Sequence, residues 1–183
     1  MDEMKRIDRV LKYKGSIVDV YDDVMQSPTG KIAHWDYVAH RKGAAAVLPV
    51  LEDGRILMVR QYRNALDRET LEIPAGSRDS TEEPTSVCAA RELEEETGYR
   101  AAKMELLITV STTVAFCNET IDVYLATELT PTQQHLDEDE FVDVKAYKLE
   151  ELKEMIFEGK IQDSKTMAAI LAYESKYLHG QNA

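Results

Sequence analysis

Residues 71–76 have the sequence LEIPAG, and residues 91–99 have the sequence RELEEETGY. Pro84 lies between the two stretches and suits the first turn of a helix, where its missing N–H would have no partner. Gly98 suits the position just past a helix end, where the backbone turns left-handed. Together they predict a helix over residues 84–97. The apolar residues placed near one side of it are Val87, Ala90 and Leu93.

The predicted helix carries four glutamates at positions 92–96, and this grouping costs energy. Glu92, Glu95 and Glu96 have the spacing i, i+3 and i+4 and share one side. Like charges at these spacings each destabilise an isolated helix by about 0.2–0.5 kcal/mol, and the C-terminal end of a helix is unfavourable for anions. A divalent cation that prefers oxygen ligands would remove this cost, with Mg²⁺ as the first candidate and Mn²⁺ as the second. The alternative is an acidic face that is only solvated.

The composition indicates one soluble globular domain with at most a small appendage. The chain has 183 residues, of which 44% are hydrophobic and 31% are charged, as is usual for such proteins. Its net charge of −12 argues against nucleic acid and anionic membrane surfaces as partners. Cys88 and Cys117 are too few for a disulfide scaffold, and the first residues lack the apolar core of a signal peptide. We therefore expect a cytoplasmic protein.

The hydrophobic pattern predicts a mixed sheet between helices, an α/β fold arranged as an α/β/α sandwich. Alternating apolar residues within residues 7–40 predict an antiparallel β-meander. Residues 44–51 form a nearly continuous apolar run, as in a strand that is covered on both faces, and the sequence EDGR at 52–55 predicts a hairpin turn. Further strands are predicted over residues 56–62, 108–113, 120–126 and 141–147. Helices are predicted over residues 149–157 and 166–177, the second with Asp163 or Ser164 as its N-cap.

The stretch RELEEETGY resembles the second half of the Nudix hydrolase signature, in which an Arg-Glu pair precedes an apolar residue, two adjacent glutamates and a glycine. The match is complete over residues 91–99. The first half of the signature departs from the family pattern, because Gly76 stands one residue too far from Arg91. Either Glu83 is the first glutamate of the signature and the loop is longer, or Glu82 is and the helix start has shifted. Glu83 is preferred, because it keeps the signature distance to the helix.

This resemblance implies that water cleaves a diphosphate joined to another group, with Mg²⁺ bound by the helix carboxylates. Glu92 and Glu96 would be metal ligands, and Glu95 would be a further ligand or would hold the water. The backbone carbonyl of Ala75 would supply another oxygen. Arg91 would hold a glutamate in its orientation; alternatively, it is an ordinary surface ion-pair residue.

A second acidic stretch, LDEDE at residues 136–140, precedes a predicted strand. In the ADP-ribose pyrophosphatase branch of the family, a loop at this point supplies a general base and a further metal ligand. The resemblance therefore implies that Glu138 takes the proton from the attacking water and that Glu140 is a metal ligand. Sequence position alone would leave this stretch as a solvated loop.

The substrate implied by the same branch is a nucleotide sugar, with ADP-ribose first and GDP-mannose or another nucleotide sugar as the alternative. Arg63 resembles the position that contacts the substrate's phosphate or ribose, a task that suits a guanidinium, and Glu72 would reach ribose hydroxyls. The aromatic residues that would stack on a base are Trp35, Tyr37 and Phe116. Without the resemblance, Arg63 is equally a surface arginine and the aromatic residues are core. The branch usually has a proline in a loop after the signature, and no proline occurs between residues 84 and 131, which keeps the choice of sugar open.

The resemblance also implies an N-terminal antiparallel sheet, residues 1–40, followed by a Nudix domain, residues 41–183. In this branch the sheet exchanges across a homodimer and lends residues to the partner's site; the alternative is a meander packed only on its own domain. Two other classes of protein also fit the residues. One is a ligand sensor that kept the fold and lost the chemistry, and the other is an interaction module that uses its acidic helix.

Overall fold

A computed structural model of the chain describes residues 3–136 and 140–178. The strands are β1 Lys5–Lys14, β2 Val18–Gln26, β3 Ile32–His40, β4 Ala44–Pro49, β5 Ile56–Arg63, β6 Arg68–Glu72, β7 Ala75–Ser77, β8 Tyr99–Ser111, β9 Thr120–Pro131 and β10 Val142–Tyr147. The helices are α1 Thr85–Thr97, α2 Leu149–Phe157 and α3 Ser164–Tyr173, and a π-helical segment, Glu174–Leu178, follows α3. Within the described residues, each helix is too short or too polar to cross a membrane.

The chain divides into two compact units. The first consists of Met1–Gly43 and Ser111–Thr120, and the second of Ala44–Val110 and Ile121–Ala183.

The first unit is built on an antiparallel sheet in the order β1-β2-β3, which confirms the predicted meander. Tyr21 stands opposite Tyr37 in the pairing of β2 with β3, and Gly30 has a φ of 85° in the turn between them, a conformation that glycine adopts without strain. The guanidinium of Arg9 lies 3.6 Å from the centre of the Tyr37 ring and is hydrogen-bonded to Asp23. This stacked ion pair ties β1 to both of the other strands.

The second unit contains a sheet in the order β7-β4-β9-β8 and another in the order β10-β5-β6. Strand β4 is buried at every position, parallel to β9 and antiparallel to β7. This placement confirms the strand that is covered on both faces. The predicted hairpin turn is also confirmed, because the N–H of Gly54 donates to the carbonyl of Leu51 at 2.9 Å.

Helices cover both faces of β4, because successive side chains of a strand point to opposite sides. On one face, Ala45 and Val47 belong to a cluster with Cys88, Ala89 and Leu93 of α1. The other face contributes to a cluster with both C-terminal helices, whose members include Ala46, Leu48, Leu152, Ala169 and Ile170. These layers form the predicted α/β/α sandwich.

Helix α1 agrees with its predicted range, but its buried side differs from the predicted one. Leu93 is buried, whereas Val87 and Ala90 are exposed. The contact side of the helix follows an i, i+4 row that includes Glu92 and Glu96, and both are buried. Placing two acids against the sheet is costly unless something positive compensates them.

The start of α3 is fixed by Asp163, whose side chain accepts a hydrogen bond from the backbone N–H of Thr166 at 3.0 Å. Asp163 is therefore the N-cap, and Ser164 is the first helical residue. The sequence pattern does not predict β6, because its residues RETLE give only a weak apolar signal. Its last residue, Glu72, is nevertheless buried.

Candidate active site

The close approach of Gly76 to Glu92 joins the turn after β6 to helix α1. A Cβ atom added to Gly76 would lie 2.1 Å from Oε1 of Glu92. A side chain at this position would displace the carboxylate, so the absence of one lets the carboxylate lie directly against the backbone. The same turn contributes the N–H of Ala75, which donates to Oε2 of Glu96 at 3.0 Å.

Glu92 and Glu96 lie one turn apart on α1 and are 8% and 3% exposed. Burial raises the pKa of Glu92 to about 7, although the adjacent Arg91 opposes the shift. Burial and the negative charge of Glu92 raise the pKa of Glu96 to about 8, against the hydrogen bond from Ala75. The charge of Glu140 adds to both increases in pKa. The pair therefore has less positive charge around it than two ionised carboxylates require.

Arg91 holds several groups of the signature together. Its Nη1 donates to Glu92 at 2.8 Å and to Glu95 at 2.9 Å, and its Nη2 donates to the carbonyl of Ser77 at 3.0 Å. Its Nε lies 3.4 Å from Oε1 of Glu83. Arg91 is thus more than a surface ion-pair residue, since it links the helix to the turn and to the loop before the helix.

The loop before α1 distinguishes the two glutamates that compete for the first position of the signature. Glu83 points to Arg91 and also accepts the N–H of Asp79 at 2.7 Å. Glu82 is exposed and accepts from the hydroxyl of Thr81 instead. The geometry favours Glu83, so the extra residue lies in the loop.

The donor set suits a hard cation, although its members do not yet converge. Within residues 3–136 and 140–178, no three acidic, histidine or cysteine side chains already meet at one point. Two buried carboxylates of raised pKa gain most from a cation that prefers oxygen ligands, and the helix dipole adds to their negative potential. We conclude that the residues present fit a divalent ion.

A second buried carboxylate, Glu72, has a different environment. Arg63 donates to it through two atoms, Nε to Oε1 at 2.8 Å and Nη2 to Oε2 at 2.7 Å. Lys165 donates to Oε2 at 2.5 Å and the hydroxyl of Thr70 donates to Oε1 at 2.6 Å. Burial would raise the pKa of Glu72, but the hydrogen bonds from Arg63 and the charge of Lys165 outweigh it and hold the pKa at about 2.

This environment bears on the role that the sequence predicts for Glu72. Four donors occupy the acceptor sites of the Glu72 carboxylate, which is only 3% exposed. Its contacts in this structure are with Arg63, Lys165 and Thr70, and a contact with ribose hydroxyls stays a prediction. The sequence did not indicate Lys165 or Thr70 as members of this group, because no local spacing connects α3 with β6.

The aromatic candidates lie in the first unit. Trp35 and Phe116, which are 51% and 49% exposed, line an open groove of about 720 Å³ together with His34 and Asp36. One face of Tyr37 is covered by Arg9. The groove thus offers two exposed rings beside polar groups.

The second acidic stretch is described only in part. Glu140 is exposed and borders a groove next to Phe141 and Arg60. Glu138 lies outside the described residues. The negative charge of Glu140 adds to the increase in the pKa values of Glu92 and Glu96, as expected for a residue near the carboxylate pair.

The chain is similar in sequence and in fold to several known proteins. The family profile described as NUDIX domain matches residues 40–170. A protein named ADP-ribose pyrophosphatase from Bacillus subtilis is 40% identical over 92% of this chain and 91% of its own length. A protein named Methanol dehydrogenase activator from Bacillus methanolicus is 39% identical over 99% of this chain and 95% of its own. A crystal structure titled as that of an ADP compounds hydrolase superposes with a TM-score of 0.88 at 17% identity, covering 100% of this chain and 97% of that one.

Proposed function

Since the chain belongs to the NUDIX family, we propose that it hydrolyses the diphosphate bond of a nucleoside diphosphate linked to a sugar. ADP-ribose is the proposed substrate, and its products would be AMP and ribose 5-phosphate. The relative from Bacillus subtilis, whose name carries this activity, aligns over nearly the whole chain. The single observation that carries the proposal is the buried pair Glu92 and Glu96, whose raised pKa values indicate too little neighbouring positive charge.

The proposed cofactor is a divalent cation, Mg²⁺ by preference, with Mn²⁺ able to replace it. Glu92, Glu96, the carbonyl of Ala75 and Glu140 would hold it, and Glu95 would be a further ligand or would orient the water. When bound, the ion would neutralise charge that develops on the phosphoryl oxygens and make the attacking water more acidic.

The remaining steps belong to side chains of the chain itself. Arg91 keeps Glu92 and Glu95 in place through its Nη1 atom. Glu138 is the proposed general base, which takes a proton from water as the oxygen bonds to one phosphorus and the bridging oxygen leaves with the other. This assignment rests on the family resemblance.

Arg63 is the proposed phosphate contact. Glu72 occupies its Nε and Nη2, so the fork is fixed in one plane. Within the described part of the chain, its Nη1 donates no hydrogen bond, and the side chain is 39% exposed. That outer edge is available for a phosphoryl oxygen. The hydrogen bond to Glu72 raises the pKa of Arg63, and the negative charge of Glu96 adds to the increase.

Trp35 and Phe116 are proposed to contact the base, because their exposed rings would stack on any purine. We further propose that the sheet of residues 1–40 exchanges between two copies of the chain, with residues 41–183 as the hydrolase domain. Large apolar side chains on this sheet and in the turn after β1 are more than half exposed, among them Ile7, Tyr13 and Ile17. Such side chains suit a surface that a second copy covers.

A screen of phosphoric anhydrides tests the proposal. The purified protein is incubated with ADP-ribose, GDP-mannose, UDP-glucose or NADH, each with Mg²⁺ or with EDTA, and the products are separated by chromatography. We expect AMP and ribose 5-phosphate from ADP-ribose only with Mg²⁺. AMP alone is the control, since it has no diphosphate bond.

The alternatives predict other results. Faster cleavage of GDP-mannose than of ADP-ribose would support the proposed reaction but would identify a substrate with a different base and sugar. Binding of ADP-ribose without cleavage of any anhydride would identify a sensor. Indifference to both nucleotide and Mg²⁺ would identify an interaction module and overturn the proposal.

A further inference from the structure

The first turn of α3 is bonded to the segment that connects β6 to β7. The ammonium of Lys165 donates to Glu72, the last residue of β6, at 2.5 Å. The hydroxyl of Thr166 accepts the N–H of the next residue, Ile73, at 2.9 Å. Both α3 side chains are buried, with Lys165 6% and Thr166 0% exposed. Consecutive residues of α3 thus hold consecutive residues that lie 93 positions earlier in the chain.

Lys165 acts on Arg63 through Glu72. Buried lysines are nearly always paired, and Lys165 also lies 3.0 Å from the carboxylate of Asp163. Its bond to Oε2 of Glu72 fixes the plane of that carboxylate. A two-atom arginine–carboxylate pair requires the two groups to share a plane. The direction in which Arg63 presents its outer edge therefore depends on Lys165.

Thr166 acts on Glu96 through the turn. Its hydroxyl donates to Asp163 at 2.5 Å, which leaves an oxygen lone pair aimed at the N–H of Ile73. The next residue, Pro74, has a fixed φ and restricts the backbone of Ile73, so the segment is stiff. Two residues after Ile73, the N–H of Ala75 holds Glu96.

We infer that Lys165 and Thr166 are positioning residues for this site. Lys165 sets the direction of Arg63 through Glu72, and Thr166 sets the position of Glu96 through the turn at residues 73–75. The kinetic part of this inference rests on the proposed function. Lys165 is expected to affect substrate affinity, and Thr166 is expected to affect ion affinity.

The substitution Thr166→Val tests the second half of the network, because it removes the hydroxyl and keeps the shape. Amide hydrogen exchange in the protein without substrate should be faster at Ile73 and also at Ala75, by about 10-fold or more. Binding of Mn²⁺, followed by electron paramagnetic resonance, should be weaker by about 10-fold. Thr166→Ser retains the hydroxyl and should restore both values.

The substitution Lys165→Met tests the first half. The KM for ADP-ribose should rise about 10- to 100-fold with kcat nearly unchanged, because a ground-state phosphate contact is disturbed. The NMR signal of the Arg63 Nε–H should move or broaden. Lys153→Met is the matched control, since Lys153 also bridges two carboxylates, Glu150 and Glu174. Lys153→Met should change the thermal midpoint and should leave the KM for ADP-ribose and the Arg63 signal as in the wild type.

Two results would overturn the inference. One is Thr166→Val with unchanged exchange at Ala75 and unchanged Mn²⁺ binding; the other is Lys165→Met with the Arg63 signal and KM of the wild type. If Lys165→Met does not fold by circular dichroism, the Thr166 variants decide the matter. Exchange, ion binding and the Arg63 signal need no turnover, so a wild type that cleaves nothing would refute the proposed function and still leave the positioning role to be judged.

Discussion

Glu72 and Glu96 are both 3% exposed, yet their carboxyl groups differ in charge balance. Glu72 accepts hydrogen bonds from Arg63, Lys165 and Thr70, and its pKa is held at about 2. Glu96 accepts one backbone N–H from Ala75, and burial with the charge of Glu92 raises its pKa to about 8. Burial is thus the same in the two places, and the neighbouring donors decide which carboxylate stays ionised.

This difference in charge balance indicates that the two buried sites have different roles within the second unit. The Glu72 group is satisfied by the protein itself and holds β6, β5 and α3 together. Glu92 accepts from Arg91 and Glu96 accepts from the N–H of Ala75, yet burial keeps both pKa values raised, and a bound cation is proposed to supply the positive charge that the pair lacks. Glu72 is therefore a structural anchor, whereas Glu92 and Glu96 are candidate metal ligands.

The largest expected effect is the loss of folding stability when Glu72 is substituted. Glu72→Gln should lower the free energy of unfolding by about 3–5 kcal/mol at pH 7, because it leaves Arg63 and Lys165 without their counter-charge. The folded-state pKa of Glu72 lies below its ordinary value of 4.5, so the wild type has this stability above about pH 4.5 and loses it as the pH falls toward 2. Urea unfolding of both proteins at several pH values measures it.

The control for this substitution is Glu158→Gln, which removes a half-exposed partner of Lys160. A surface pair of this kind contributes little. If Glu72→Gln destabilises the protein no more than Glu158→Gln does, the contrast between the two buried sites is wrong.

The next effect is the loss of catalytic activity when Glu96 is substituted. Glu96→Gln should reduce kcat about 100- to 1,000-fold at saturating Mg²⁺, a loss expected for removal of one electrostatic group of an active site. The same substitution should not lower the metal-free stability at pH 8, since it removes a buried charge whose pKa is raised by burial and that forms no ion pair within the described residues. Glu94→Gln, on the same helix and paired with Arg100, should retain activity. Normal turnover of Glu96→Gln would remove Glu96 from the proposed ion site.

The pH dependence of stability without metal gives a third comparison of the two sites. The folded-state pKa values of Glu92 and Glu96, about 7 and 8, exceed the ordinary value of 4.5. The folded protein then binds more protons than the unfolded chain, so stability should fall as the pH rises from about 4.5 to 8. The slope is at most about 1.4 kcal/mol per pH unit for each extra proton. Unfolding in EDTA between pH 5 and 9 measures it, and saturating Mg²⁺ should flatten the curve; a curve in EDTA that is already flat would contradict it.

Much of the fold follows from short-range rules. Pro84 and Gly98 bound α1, the apolar run of β4 predicts a strand with two covered faces, and the EDGR turn forms as expected. Helix α2 occupies its predicted range. Each of these features depends on residues within a few positions of one another, so the sequence contains the necessary information.

The charge state of the site does not follow in this way. The pattern groups Glu92, Glu95 and Glu96 on one side of a helix, but it gives no sign that two of them face the sheet. It also gives no sign that Lys165 pairs with Glu72, because a contact across 93 positions has no local spacing.

The sequence alone was sufficient to predict an acidic helix, because caps, turns and charge spacing act over a few residues, and the resemblance of this helix to the Nudix signature implied the reaction class. The tertiary structure alone decided which glutamates are buried and which are neutralised by the protein. Burial and pairing depend on groups that the chain brings together from distant positions, and these groups set the pKa of each carboxyl.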